Sequence, residues 1–357
     1  MRKKPQPTIK DVAEFASVSP MTVSRVLNDQ GMVKESTRKR VLEAMRALNY
    51  RPNLMARSLA GRSGLFIGLI YRNPSYGYLS EFLLGALSTC RRLGHNLVVE
   101  EPFLDRNLVN LELIERRFLD TSIQALIVVP PLSDDPQLID VLERTKIAYV
   151  CVSPRLGTYA GASVGMDDIA AAREMTSYLL DLGHDRIGLI KGPADHRASE
   201  LRLTGYTQAL AERGIPVDPS ILAEGNFTYV SGMHAAKAIL QADNPPTAIF
   251  ASNDDMAAGA IATAHQSGLR VPEDVSVVGF DDTATASAVW PPLTTIRQPI
   301  RKMADAAIET LERLVAGASA PSKVPPQKLC LPHKLIVRDS TAAPNPPALA
   351  SARKRSV

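Results

Sequence analysis

The sequence predicts a small all-α unit at the N-terminus, followed by a larger α/β core that is divided into two lobes. Three short amphipathic helical patterns lie between residues 8 and 50. Beyond Gly64, short apolar runs alternate with amphipathic helical segments. The chain has 357 residues, of which 45% are hydrophobic, so it is long enough to bury more than one hydrophobic core.

The N-terminal unit has the plan of a helix-turn-helix. Its first pattern begins "TIKDVAEFA", where Thr8 and Asp11 have the spacing of a capping box. The second follows Ser19, a favourable N-cap, and starts at Pro20, whose missing N–H is harmless in a first helical turn. Only three residues separate these two patterns, and a supporting third helix is predicted over about 36–48. Its inward face is expected to hold Val41, Leu42, Met45 and Leu48.

The second helix has two different faces. At about 100° per residue, its apolar face consists of Val23, Val26 and Leu27. Its opposite face then consists of Met21, Ser24, Arg25 and Asn28. If this helix enters the major groove of DNA, Arg25 can bind O6 and N7 of guanine. Such a contact discriminates guanine from other bases by about 1–3 kcal/mol. The hydroxyls of Thr22 and Ser24 suit phosphates or sugars, and Pro20 and Met21 suit a thymine methyl. An ordinary solvated helix face is the alternative.

Charge is distributed unevenly along the chain. Residues 1–62 include 13 basic and 5 acidic residues, a net charge of +8. The rest of the chain includes 28 basic and 32 acidic residues, a net charge of −4. A basic head on an acidic body indicates that the head binds a polyanion. A solvated basic arm is the alternative interpretation.

Other features exclude several classes of protein. No run of 18 apolar residues is present and the N-terminus lacks an apolar signal segment, so we expect a cytoplasmic, nucleoid-associated protein without a membrane span. Cys90, Cys151 and Cys330 are expected to be buried thiols in a reducing compartment. Common motifs for hydrolases, nucleotide sites and zinc sites are absent from the sequence. We therefore predict no enzyme activity, no metal and no cofactor.

The core pattern is typical of parallel sheets with helices on both faces. One tetrapeptide, Ile67–Ile70, recurs at Ile187–Ile190, which weakly supports two similar lobes. The apolar runs are "LFIGLIY" (65–71), "HNLVVE" (95–100), "ALIVVP" (125–130), "IAYVCVS" (147–153), "RIGLIKG" (186–192), "AIFASND" (248–254) and "VSVVGFDD" (275–282).

Two segments of the sequence carry a family resemblance. "TIKDVAEFASVSPMTVSRVLN" followed by "TRKRVLEAMRALNYRPNLMARSLA" resembles the LacI family of bacterial repressors. The resemblance implies a helix-turn-helix head, a hinge helix and a two-lobed core similar to periplasmic sugar-binding proteins. It places Pro20, Met21 and Arg25 where the family reads operator bases, and Leu59 where a wedge enters the minor groove beside that of the dimer mate. A plain linker helix with Leu59 packed on the core is the alternative.

With this resemblance, the chain divides into a head (1–50), a hinge (51–62), a core (63–340) and a disordered tail (341–357). Lobe one is expected over 63–161 and 297–325, and lobe two over 162–296 and 326–340. The tail has no leucine heptad that could build a higher oligomer. The complete predicted DNA-binding set is Thr8, Ser19, Pro20, Met21, Thr22, Ser24, Arg25, Asn28, Asn53, Ala56, Arg57 and Leu59.

Parallel sheets bind ligands at the carboxyl ends of their strands, so polar residues that follow the apolar runs are ligand candidates. These strand-end candidates include Arg72 and Ser153. The resemblance selects Asn73, Arg202, Phe227, Asn253, Asp281 and Gln298, to which we add Tyr78 for stacking or for the lobe interface. Turn or cap roles are preferred for Asp254, Asp255 and Asp282. The chain has "SPRL" at 153–156, where many sugar-binding relatives carry an acid followed by arginine, so their ligand pose does not transfer directly.

These observations predict a homodimeric repressor that binds a pseudo-palindromic double-stranded operator and responds to a small molecule, expected to be a sugar that acts as inducer. Closure of the lobes would change how the hinge helices meet. One alternative is a family member that senses a nucleobase or another corepressor. A solute-binding receptor is a second alternative, which the basic head and the absent signal segment oppose.

Overall fold

The computed structural model describes residues 7–27, 33–48, 50, 64–72, 74–100, 104–105, 108–109, 123–154, 161–317 and 327–344. The chain forms two compact units, Met1–Gly64 and Leu65–Val357, called the head and the core below. The hinge prediction and the roles predicted for Asn28, Asn53, Ala56, Arg57, Leu59 and Asn73 lie outside the described residues.

The three predicted helices of the head are confirmed. They are α1 (Ile9–Phe15), α2 (Pro20–Leu27) and α3 (Glu35–Ala47). The predicted capping box is present at the N-terminus of α1. The Thr8 backbone N–H donates to Asp11 at 2.6 Å, and the Asp11 N–H donates to the Thr8 hydroxyl at 3.4 Å. The Thr8 N–H and the Thr8 hydroxyl, the latter at 2.8 Å, both donate to the Asp11 carboxylate and lower its pKa. The Ser19 hydroxyl caps α2 by accepting from the N–H of Thr22 at 3.2 Å.

The head buries the inward faces of its three helices against one another. Val12, Val23 and Val41 are completely buried. The prediction for Leu42 is wrong, since this side chain is 39% exposed. Ala44 takes the inward position because it lies three residues after Val41 and so shares its face of α3.

Ser17→Gly is expected to stabilise the head by about 1 kcal/mol. Ser17 lies in the turn between α1 and α2 with φ of 51°, a left-handed conformation that disfavours every residue with a Cβ atom by roughly 1 kcal/mol. The measurement is amide hydrogen exchange of α1 and α2 in the full chain. Thr8→Ala serves as the opposite control, because loss of this cap costs about 1 kcal/mol. Faster exchange in Ser17→Gly would contradict the strain argument.

The core contains two six-stranded sheets. The first has the order β13-β7-β6-β5-β1-β2 and is entirely parallel. Its strands are β1 (Phe66–Ile70), β2 (Asn96–Glu100), β5 (Ala125–Val128), β6 (Ala148–Val152), β7 (Ala162–Gly165) and β13 (Lys328–Cys330). A separate antiparallel pair consists of β3 (Leu104–Asp105) and β4 (Leu108–Val109).

The second sheet has the order β14-β12-β11-β10-β8-β9, and only its edge strand β14 runs antiparallel. Its strands are β8 (Ile187–Lys191), β9 (Leu222–Glu224), β10 (Ala248–Ala251), β11 (Ser276–Asp281), β12 (Thr294–Arg297) and β14 (Lys334–Ile336). All seven apolar runs predicted from the sequence contain strands of these two sheets.

Helices cover both faces of each sheet, as predicted. Packed against the first sheet are α4 (Tyr76–Leu93), α5 (Pro136–Thr145) and α11 (Ile300–Gly317). Packed against the second are α6 (Asp168–Asp181), α7 (Arg197–Glu212), α8 (Tyr229–Leu240), α9 (Asp254–Gln266) and α10 (Ala284–Ala288). Short 3-10 turns occupy Leu132–Asp134 and Pro219–Ile221. No described helix is long and apolar enough to cross a membrane.

The lobes divide at different residues from those predicted. We expected 162–165 and 328–330 in lobe two, but β7 and β13 pair in the first sheet. Both strands are short, and β13 pairs only at the edge of the sheet, so neither has the long apolar run of a central strand. The predicted tail also starts too early, because Thr341 bonds Tyr178 at 2.8 Å and the Ala342 carbonyl bonds His184 at 2.9 Å. Residues 345–357 lie outside the described part.

The cysteines differ in exposure. Cys90 and Cys151 are buried, as expected. The prediction for Cys330 is wrong, since this residue is exposed at the end of the edge strand β13. None of the three takes part in a disulfide.

Candidate functional site

The outer face of α2 carries the predicted DNA-binding side chains of the head. Val23 and Val26 turn inward, which leaves Arg25 exposed and Met21 with 66% of its surface exposed. Ser24 and Thr22 are half-buried beside them. The hydroxyls of Ser19 and Thr22 lie 2.9 Å apart at the start of the helix. A short helix with an exposed arginine can enter a major groove and bind base edges.

A cavity lies between the two lobes of the core and, together with the solvent-open space at its mouth, encloses about 400 Å³. Most of its lining residues follow the carboxyl ends of parallel strands, where we expected a ligand site. The lining consists of Ser75, Tyr78, Pro130, Ser153, Asp168, His196, Ala198, Arg202, Phe227, Asn253, Asp281 and Gln298. It therefore contains every predicted ligand residue except Asn73, which is outside the described residues.

Arg202 enters the cavity from α7 and is only 4% exposed. Its Nε donates to Oδ1 of Asp168 at 2.9 Å, and its Nη1 donates to the carbonyl of Ser252. The guanidinium carbon lies 3.7 Å from the centroid of the Phe280 ring. These three contacts fix the orientation of the planar guanidinium, so that its remaining N–H groups can donate to a ligand in a defined direction.

Asp281 ends β11 and is 4% exposed. Its Oδ1 accepts a hydrogen bond from Nε2 of Gln298 at 2.5 Å. Burial raises the pKa of Asp281 to about 7. The charge of Arg202 and the hydrogen bond from Gln298 act against this rise. The charges of Asp255 and Asp168 add to it. At neutral pH this carboxyl group can therefore accept or donate a hydrogen bond to a ligand.

Backbone strain is concentrated around the cavity. Ser153, Phe227 and Asp281 have positive φ angles of 46°, 64° and 117°, and all three line the cavity. Such conformations cost about 1–3 kcal/mol each and persist where the surrounding structure enforces them. The surrounding structure therefore stabilises a strained backbone at three residues that line the cavity.

Two lining residues bear buried polar atoms that have no hydrogen-bond partner among the described residues. They are the hydroxyl of Tyr78, from lobe one, and both ring nitrogens of His196, from lobe two. Burial lowers the pKa of His196 to about 4 and raises that of Tyr78, so both side chains are neutral at pH 7. The rings of His196 and Phe227 pack nearly perpendicular to each other, with ring centroids 5.1 Å apart. Since unsatisfied buried polar atoms are costly, these atoms indicate a polar ligand.

Asn253 lines the cavity, but its amide is already engaged. Its Oδ1 caps α9 by accepting from the N–H of Met256 at 3.0 Å, and its Nδ2 donates to the carbonyl of Phe227 at 3.0 Å. Asn253 thus holds the strained Phe227 in place. Its remaining capacity for a ligand is smaller than the sequence suggested.

The three aspartates assigned to turn or cap roles make contacts within the protein. Asp254 is buried behind the cavity, where it accepts from the hydroxyl of Thr295 at 2.6 Å and the N–H of Thr283 at 2.7 Å. Asp255 accepts from the hydroxyl of Thr285 at 2.9 Å. Asp282 pairs with Arg297 and Arg338, each at 2.6 Å.

Arg72 and Tyr76, which both follow β1 in the chain, lie outside the lining of the cavity. Arg72 faces Asp195 of the other lobe at 3.9 Å. Tyr76, two residues before Tyr78 on α4, is 78% exposed, so Tyr78 is the tyrosine of α4 that faces the cavity. In the described part of the chain, no three His, Cys, Asp or Glu side chains are grouped as they would be around a metal ion.

The final set of sequence candidates omitted Asp168 and His196. Asp168 follows β7, which is only four residues long and was not recognised as a strand. His196 follows the predicted strand β8 by five residues, in a segment whose path the sequence leaves open. Applying the strand-end rule to every strand would have found Asp168.

Known proteins resemble both units of the chain. The pattern of bacterial regulatory proteins of the lacI family matches residues 8–53, and that of the periplasmic binding protein-like domain matches residues 176–341. Catabolite control protein A of Priestia megaterium is 33% identical over 335 residues, which cover 94% of this chain and 99% of that protein.

Two solved structures extend the similarity to three dimensions. The lac repressor dimer bound to operator and the anti-inducer ONPF is 32% identical, with a TM-score of 0.81, and the match covers 95% of this chain and 100% of that one. The complex of the transcriptional regulator CelR with cellobiose is 30% identical, with a TM-score of 0.71, and the match covers 94% of this chain and 99% of that one. Because these similarities span head and core together, the chain belongs to the lacI family of bacterial regulatory proteins and is a DNA-binding transcriptional regulator that responds to a ligand.

Proposed function

We propose that this regulator represses a carbohydrate uptake or breakdown operon and is released from its operator by a sugar that binds between the lobes of the core. The observation that carries the proposal is the chemistry of the cavity, which combines the buried guanidinium of Arg202, the buried carboxyl group of Asp281 and the aromatic ring of Phe227. This combination suits a polyhydroxylated ring, whose hydroxyls pair with charged groups and whose C–H faces pack on aromatic rings.

The hydrogen-bonding capacity of the cavity supports the ligand class. The neutral His196 ring offers one donor and one acceptor, and Tyr78 offers a hydroxyl from the opposite lobe. A sugar hydroxyl is both donor and acceptor and would satisfy either group. Because Tyr78 and His196 belong to different lobes, a ligand that binds both would stabilise the closed arrangement. The related CelR structure contains cellobiose, which is consistent with a sugar.

The head supports the DNA-binding part of the proposal. Arg25 and Met21 stand on the exposed face of a well-capped helix, in a segment that matches the family pattern. We propose a homodimer in which two heads bind the halves of a pseudo-palindromic operator, since two-fold symmetry in the protein requires matching symmetry in the DNA. The related lac repressor is a dimer bound to operator. A hundredfold loss of operator affinity on ligand binding would correspond to about 2.7 kcal/mol of coupling.

A thermal-shift panel tests the ligand class. We expect a sugar from a set of D-ribose, D-glucose, D-galactose and cellobiose to stabilise the core, by about 2.7 kcal/mol at a hundred times its dissociation constant. D-mannitol at the same concentration is the control for nonspecific stabilisation by polyols. Hypoxanthine, guanine and adenosine represent the nucleobase alternative. A shift with these compounds and none with the sugars would replace the sugar by a base as the effector.

A further inference from the structure

We propose that Asp168 is a positioning residue of the effector site, which acts by holding the guanidinium of Arg202 in the orientation that binds the ligand. This inference rests on the proposed function, because it concerns the same cavity. It adds a residue that the strand-end pattern did not identify, and it assigns that residue a role through Arg202.

The first step is the distribution of donors on Arg202. Nε is taken by Asp168, Nη1 is taken by the carbonyl of Ser252, and one face of the group lies on the ring of Phe280. Among the described residues, Nη2 makes no hydrogen bond. Because Arg202 lines the cavity, Nη2 is the group left to bind a ligand.

The second step is the packing that places Asp168 beside Arg202. Asp168 is the first residue of α6, whose preceding residue Asp167 caps the helix by accepting from the N–H of Ala170 at 2.9 Å. Helices α6 and α7 approach closely at Gly205, three residues after Arg202. A Cβ atom at Gly205 would lie 2.3 Å from the carbonyl oxygen of Ile169, so only glycine permits this approach.

Arg202 and Asp168 form a buried ion pair. The side chains of Arg202 and Asp168 are only 5% and 4% exposed, so each has lost most of its hydration. Burial raises the pKa of Asp168, and the neighbouring Arg202 opposes that rise. Loss of the carboxylate would leave a buried guanidinium short of a partner, and this group would then turn towards other acceptors.

The same two helices provide a matched control. Arg173 of α6 and Glu212 of α7 form an ion pair at 2.9 Å whose side chains are about half exposed, and neither residue lines the cavity. Glu212→Gln therefore removes one charge of an ion pair between α6 and α7, just as Asp168→Asn does, without changing the surroundings of Arg202.

The test is a double-mutant cycle on the full-length chain. The variants are Asp168→Asn, Arg202→Gln, the double variant and the control Glu212→Gln. Dissociation constants are measured by calorimetry with D-ribose, D-glucose, D-galactose, cellobiose and hypoxanthine, each titrated separately. For whichever compounds bind, we expect Asp168→Asn to weaken binding by about 10- to 100-fold, as loss of a supporting contact to a binding group typically does. Glu212→Gln should change it less than twofold.

The cycle separates a positioning role from a direct or purely structural one. In the Arg202→Gln background, Asp168→Asn should have no further effect on binding. Equal losses in both backgrounds, or no loss in the single variant, would overturn the proposal. If Asp168→Asn fails to fold, Asp168→Glu keeps the charge but displaces the carboxylate. This variant should still weaken binding while the chain remains folded, and unchanged binding would count against the proposal.

A ligand-free measurement keeps this inference distinct from the proposed function. If none of the five compounds binds the wild-type chain, the proposed ligand class fails, but the positioning role is still tested by crystal structures of Asp168→Asn or Asp168→Glu and of Glu212→Gln. We expect the Arg202 guanidinium to leave the Phe280 ring in the Asp168 variant and to stay in the control. A guanidinium that remains in place without the native carboxylate would refute the role of Asp168.

Discussion

Asp281→Asn is expected to bind operator with wild-type affinity and to lose its response to the effector. Asp281 lines the cavity of the core, whereas the DNA-binding face belongs to the head, which is a separate unit. An amide keeps the shape of the side chain but removes the charge. Loss of one charge-assisted hydrogen bond in a buried site is worth about 1.5–3 kcal/mol, which weakens effector binding roughly 10- to 100-fold.

The measurement is operator binding by fluorescence anisotropy, with and without the sugar that gives the largest thermal shift. The operator is selected from a random DNA pool with the wild-type chain. Asp274→Asn is the matched control, because Asp274 is another largely buried aspartate of lobe two, 9% exposed, but pairs with Arg270 and does not line the cavity. Wild-type release of Asp281→Asn from DNA by the sugar would remove Asp281 from the effector site.

Misfolding is a separate explanation for a lost response, and the pH dependence of stability addresses it. The folded chain keeps the proton of Asp281 up to a pKa of about 7, whereas the unfolded chain loses it near the ordinary value of 3.8. The stability that this group contributes therefore falls as pH rises from about 4 to 7. The amide that replaces the carboxyl group in the variant would carry no such proton.

We therefore expect the unfolding free energy of Asp281→Asn, relative to wild type, to increase across pH 4 to 7. Denaturant unfolding at several pH values measures it. A stability difference that does not change across this pH range would contradict this account of Asp281, and a variant that is largely unfolded at pH 8 would make its lost response uninformative.

The sequence was most informative where local chemistry decides the structure. The Thr8–Asp11 capping box and the cap at Ser19 depend only on neighbouring residues, and both are present. Six of the seven predicted strands are interior strands of parallel sheets, which are buried on both faces and are therefore continuously apolar, whereas the seventh, β2, lies at a sheet edge. Since the carboxyl ends of such strands share an edge of the sheet, distant residues such as Asn253 and Asp281 could be placed in one cavity, whereas Arg202 lies on a helix and was found only through the family resemblance.

Prediction failed where tertiary packing decides the structure. Strands β7 and β13 are short, and β13 lies at the sheet edge, so local composition did not assign them to their lobe. Asn253 was predicted to bind a ligand and does line the cavity, but the sequence did not show that its amide also caps α9 and bonds the Phe227 carbonyl. Which polar residue at a strand end is occupied by the protein itself depends on contacts between elements, and a single sequence does not contain them.

Arg25→Ala is expected to weaken binding to the selected operator by roughly 10- to 100-fold while changing binding to random DNA far less. Arg25 is exposed on α2 between the half-buried Ser24 and the buried Val26. A bidentate contact to guanine discriminates by about 1–3 kcal/mol, whereas a contact to phosphate contributes to every sequence alike.

Competition of labelled operator against random duplex at two salt concentrations separates these roles, because loss of a phosphate contact also reduces the salt dependence of binding by about one counterion. Arg46→Ala is the matched control, since Arg46 is an exposed arginine on α3 of the same basic head. We expect the control to weaken both DNAs equally, if it has any effect. Equal losses on operator and random DNA for Arg25→Ala would make Arg25 a phosphate contact. Recognition of the operator would then have to come from residues other than the one arginine that α2 presents to solvent.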